Sequence, residues 1–95
     1  MFATLLGSLP RPPLPDDAAP EAVLDAVLDV QVEHGLEPVT DGGWPLDSRD
    51  PVAAWRASAA RTERLVKAVI DGPFSSGRPA ADVRRVVLAL ADAGC

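Results

Sequence analysis

The chain has one cysteine, one histidine and no tyrosine among its 95 residues, and only 4% of them are aromatic. A single cysteine, Cys95, excludes an internal disulfide, and its terminal position reads as an ordinary thiol. With His34 as the one histidine, the chain cannot furnish the three or four ligands of a self-contained zinc site. Long apolar runs are missing too, since none approaches the roughly 18 residues that suggest a membrane span. The opening Met1-Phe2-Ala3-Thr4-Leu5-Leu6 has no basic flank and stops too early for a signal peptide, so a cytoplasmic protein is expected. Bases are the minority, nine against fourteen acids, and the net charge of −5 argues against a nucleic-acid partner. A phosphate loop is also lacking: Gly72-Pro73-Phe74-Ser75-Ser76-Gly77 holds no lysine, and its proline removes an N–H donor.

What remains is patterned. Three times an apolar, strand-like segment runs into a glycine-bearing turn and then into an amphipathic helix. The segments are Phe2–Leu6 before Gly7-Ser8, Glu37–Asp41 before Gly42-Gly43, and Leu65–Ile70 before Asp71-Gly72-Pro73. Strands that alternate with helices specify an α/β fold with parallel strands in the order 1-2-3, joined by right-handed helical crossovers. Such sheets bind ligands outside the carboxyl ends of their strands, where Ser8, Asp41 and Ser75 are expected on one face.

The helices have clear punctuation. Pro10-Arg11-Pro12-Pro13-Leu14-Pro15 reads as an extended loop, because proline fixes φ and lacks a donor. Pro20 suits a first helical turn, Val23, Leu24, Val27, Leu28 and Gln31 form the inward stripe, and Gly35 supplies the C-terminal cap. Asp50-Pro51 predicts a second start, with Val52, Trp55 and Ala59 facing inward. The third helix begins near Pro79, carries Val83, Val86, Val87 and Leu90 at helical spacing, and ends at Gly94. Charge is uneven: residues 1–50 carry net −8 and residues 51–95 net +3, a difference that solvated helix faces or two contacting surfaces would both produce.

Three parallel strands leave long apolar edges and too few layers to finish a core, so the sequence reads as the opening part of something larger. In this reading residues 1–95 are a single partial domain, and the open edges favour self-association.

Two stretches carry a resemblance. Thr4-Leu5-Leu6-Gly7-Ser8-Leu9-Pro10, and then Gln31-Val32-Glu33-His34-Gly35 through Val39-Thr40-Asp41-Gly42, resemble the catalytic barrel of the cobalamin-independent methionine synthase family. In that family a first strand ends in Gly-Ser and proline, and a Gln-x-x-x-Gly helix end leads to a strand closing in Asp-Gly or His-Gly. Ile70-Asp71-Gly72-Pro73 is similar to its third turn, and Leu90–Cys95 to the helix end before its fourth strand. The resemblance implies a TIM (β/α)8 barrel of about 250 residues, of which this chain would be the first three βα units, truncated.

It also implies methyl transfer from a methylated folate to the sulfur of homocysteine, held as thiolate on zinc. Gly7 and Ser8 match the Gly-Ser that contacts the amino-acid part of homocysteine, although a turn glycine and a locally bonded serine account for them equally. Where the family places a glutamate for the substrate ammonium, this chain has Gly43. Asp41 is the nearest carboxylate, and it suits either that task or plain Asp-Gly-Gly turn chemistry. Arg49-Asp50 only loosely echoes the family's next polar pair. The family's zinc ligands sit on later strands, His34 matches none of them, and no cofactor is expected in this chain, nor methyl transfer by it unaided.

Two other readings compete. One is a uroporphyrinogen decarboxylase-like protein, related in fold and free of zinc, which the loss of the glutamate at Gly43 favours. The other is a non-catalytic α/β remnant that acts through self-association or a partner chain.

Overall fold

Among the described residues three helices, each opening at or just after a proline, organise the chain. The computed structural model describes residues 3–5, 8–70, 77 and 79–95. Helix α1 spans Pro20–Glu33, α2 Pro51–Ala59 and α3 Ala80–Asp92. Helix α1 starts with Pro20 at its first position and closes on Gly35 at φ 71°. There the Leu36 N–H reaches the Gln31 carbonyl at 3.0 Å and the Gly35 N–H the Val32 carbonyl at 3.0 Å, a Schellman ending. Helix α2 is capped by Asp50, whose Oδ1 accepts from Val52 N at 3.0 Å and Ala53 N at 3.3 Å.

The core lies under α1. Leu24, Leu28 and Val39 are buried together, with Val32, Leu46 and Val66 packed against them. Gln31 sits in the same layer, 1% exposed, and bridges helix to loop. Its Nε2 donates to the carbonyls of Val27 at 3.0 Å and Thr40 at 2.7 Å, while its Oε1 accepts from Thr40 N at 3.0 Å. In α2 the buried residues are Ala54 and Ser58 rather than Val52, Trp55 and Ala59, which are only half-buried. In α3 only Leu90 is fully buried, and Val87 is 50% exposed.

The expected α/β fold is overturned. Among the described residues there is no strand and no sheet, so three βα units of a barrel with parallel strands 1-2-3 are not what the chain builds. Pairing reduces to one parallel bridge, Val39 with Val66, held by Val39 N to Leu65 O at 2.8 Å and Lys67 N to Val39 O at 2.9 Å. The reason is competition for backbone groups. Thr4 Oγ1 donates to Pro38 O at 2.5 Å, and Lys67 Nζ to Leu5 O at 2.6 Å. Leu65 N donates to a Glu37 carboxylate oxygen at 2.9 Å, and the Trp55 indole N–H takes Val66 O at 2.9 Å. Pro38 has no N–H to offer, and Glu37 N to Ala3 O at 2.8 Å is an isolated bond. Side chains thus satisfy positions that a ladder would have used. Leu65 and Val69 are also 70% and 63% exposed, whereas parallel strands require cover on both faces.

Candidate functional site

The first loop and the loop after Val39 meet. Leu9 N donates to Gly42 O at 2.8 Å, and the Trp44 indole N–H donates back to Leu9 O at 3.0 Å. This clamp sets Ser8 against Gly43: a Cβ on Gly43 would fall 2.8 Å from Ser8 Oγ. Gly42 and Gly43 both hold positive φ, 61° and 86°, which side-chain-bearing residues avoid. Asp41 Oδ1 accepts from Gly43 N at 2.9 Å, and Thr40 Oγ1 accepts from Gly42 N at 2.8 Å. Asp41 therefore does perform turn chemistry, as an Asx turn, and it remains half-exposed.

Of the residues singled out in the sequence, Ser8 and Asp41 both reach Gly43 at this junction, Ser8 by its close approach and Asp41 by its bond to the Gly43 N–H. Gly7 and Ser75 lie outside the described residues. His34 is exposed at the end of α1, with Nδ1 2.7 Å from Val30 O, and Cys95 is an exposed free thiol. Among the described residues no three His, Cys, Asp or Glu side chains converge on a point that suits a metal ion, so zinc has no fitting site there. No helix among them is long and apolar enough to cross a membrane.

Beyond Asp41 the surface opens into a cavity of about 350 Å³ between the loop 45–49, α2, the 66–70 segment and α3. Asp47, Arg49, Ser58 and Lys67 line it, and of these the sequence singled out only Arg49, as a loose echo of the family's polar pair. Lys67 looks in the sequence like a lone charge guarding an apolar segment; folded, it is half-buried and tied to Leu5 O. Asp47 had a readable signal, the Asp-x-x-Asp-Pro run that precedes α2. Its Oδ1 accepts from Arg49 N at 2.8 Å and Asp50 N at 3.0 Å.

Those two N–H donors, Arg49 first, hold the Asp47 carboxyl below its usual value of 3.8, against a smaller opposing effect of desolvation. A depressed folded pKa gives stability that is present above pH 3.8 and is lost as pH falls through the folded value. Asp47→Asn is thus expected to lower the unfolding midpoint at neutral pH, and the gap from the parent should close once pH drops well below 3.8. Thermal unfolding at a series of pH values checks this, and a gap that persists in acid would count against it.

No protein-family model, no curated protein and no solved structure matches this chain.

Proposed function

We propose that this chain supplies an amino-acid-binding half-site of a methionine-synthase-like methyltransferase. The observation that supports the reading is the clamp that brings Ser8 onto the Asp41-Gly42-Gly43 turn. A serine hydroxyl donates to a carboxylate, and an aspartate accepts from an ammonium, so the pair suits the two ends of an α-amino acid. Homocysteine is the substrate the sequence resemblance suggests. The chain is not expected to move a methyl group itself, because activation of the thiol in that chemistry falls to zinc, and the described residues do not fit it.

Titration of the isotope-labelled chain with L-homocysteine, followed by amide chemical shifts, tests the reading. Shifts are expected at Ser8, Gly42, Gly43 and Trp44, and Ser8→Ala should weaken binding about tenfold, the worth of one hydrogen bond to a charged group. No shifts at millimolar ligand, or shifts that Ser8→Ala leaves unchanged, would dismiss it.

A second reading, self-association, draws on a different observation: Leu65, Val69, Val87 and Leu88 are each at least half exposed. Large apolar side chains left in water favour association. Sedimentation at low micromolar concentration distinguishes the two, because a strict monomer leaves the second reading without support. A uroporphyrinogen decarboxylase-like activity also takes support from Gly43, where a glutamate would meet Ser8 and would have to adopt φ 86°.

A further inference from the structure

Helix α3 has two faces, and the fold uses one of them. The helix packs on α2, with half-buried Val83 and Val86 and buried Leu90 on its inner face. Residues four apart line up along a helix, and on the opposite face one such row runs Arg84, Leu88, Asp92. Leu88 is 53% exposed at its centre. Half-exposed Val87 flanks the row, and exposed Ala81 and Ala91 leave the backbone open to close approach.

The two ends of the row carry opposite charges. The neighbouring base, Arg85, is paired with Asp82 at 3.2 Å, whereas among the described residues neither Arg84 nor Asp92 has an opposite charge within ion-pair distance. Asp92 also stands in the last turn of α3, which holds no basic residue and where the helix dipole disfavours an acid. The row is its own complement. Each charge lies four residues, about 6 Å along the axis, from Leu88, so turning the row end for end sets Arg84 against Asp92 twice. A two-fold axis through Leu88 performs that reversal, and rows of this spacing are the ones that interdigitate in the commonest helix packing.

We propose that two copies of this chain associate through the outer faces of α3, antiparallel, with Leu88 on the two-fold axis and Arg84 of each copy paired with Asp92 of the other. The inference rests on the self-association reading above and deepens it, by naming which exposed apolar residues make the contact. The 13 residues of α3 span about 20 Å. The area they bury together falls below the roughly 1,200–2,000 Å² of stable complexes, so the dimer dissociates on dilution and its population changes across the micromolar range.

Sedimentation equilibrium of the whole chain from about 1 to about 100 μM tests it. The average mass is expected to climb from monomer toward dimer and no further, because a two-fold contact closes on itself. Leu88→Glu should weaken the dimer more than about tenfold, by bringing two carboxylates together at the axis. Arg84→Asp and Asp92→Arg should each weaken it about tenfold. The double variant restores both pairs with their signs exchanged and should return to within about threefold of the parent. All three positions are exposed, so circular dichroism is expected to show the parent's helix content throughout. A parent that stays monomeric over this range overturns both the inference and the reading beneath it. A dimer that Leu88→Glu leaves unchanged, or a double variant no tighter than the single ones, overturns this interface alone and leaves Leu65 and Val69 to make the contact.

Discussion

Gln31→Leu is expected to remove a large share of the stability of this chain. The two side chains are close in volume, so packing against Leu28 and Val39 is nearly conserved. The hydrogen bonds are not. Thr40 is 2% exposed, and its N–H and carbonyl are both satisfied by the Gln31 amide, at 3.0 and 2.7 Å. Leucine leaves both groups buried and unpaired, at about 1–3 kcal/mol apiece. The combined loss of about 2–6 kcal/mol stands against a total of about 5–15 kcal/mol for an ordinary domain. Urea denaturation followed by far-UV circular dichroism measures it. A Gln31→Leu midpoint that coincides with the parent's would mean that the bridge between α1 and the Val39 segment is not what holds the loop.

The second large effect is expected at Gly42→Ala. Gly42 is buried with φ 61°, and an added Cβ would lie 2.8 Å from Val27 Cγ1 and 3.3 Å from Leu9 Cβ. Val27 is 1% exposed on the packed side of α1, so the overlap falls on a buried, β-branched side chain rather than on a free tip. A left-handed conformation costs a side-chain-bearing residue about 1–2 kcal/mol, and the overlap adds about 1–3 kcal/mol. Gly43→Ala is the natural comparison, because there the nearest atom is the hydroxyl of an exposed Ser8 side chain, which can rotate aside, with Ser8 Cβ behind it at 3.1 Å. Its cost should stay near the backbone share, about 1–2 kcal/mol, with a smaller addition from Ser8 Cβ. The order Gly42→Ala worse than Gly43→Ala is the outcome to check by equilibrium unfolding; the reverse order would contradict the packing described.

The helices were legible in the sequence because their signals are local. Pro20, Asp50-Pro51 and Pro79 mark starts, Gly35 and Gly94 mark ends, and each does in the structure what its chemistry predicts. The stripe Val23, Leu24, Val27, Leu28 and Gln31 is the buried face of α1. The strands were misread because the deciding interactions are long-range. Nothing in Leu65–Ile70 reveals that Trp55 will occupy the Val66 carbonyl, or that Glu37 will take the Leu65 N–H. Periodicity detects which residues prefer an extended backbone, but a ladder also needs free donors and acceptors alongside. The same limit applies to the site. Ser8 and Asp41 stand out as residue types at glycine turns, whereas Ser58 shows nothing in the sequence until its burial and lack of a partner are seen together.

Both tryptophans donate an indole N–H to a distant carbonyl, Trp44 to Leu9 and Trp55 to Val66. Each therefore staples a different pair of segments, one joining the first loop to the second, the other joining α2 to the chain that follows it. Indole emission shifts when that bond breaks and water enters, so Trp44→Phe and Trp55→Phe leave proteins whose fluorescence watches one staple at a time. If the two signals melt together, the N-terminal loops and the C-terminal helices unfold as one cooperative unit. If they separate, the molecule is two thermodynamic bodies that share a single chain, and the weaker one can open while the other remains folded.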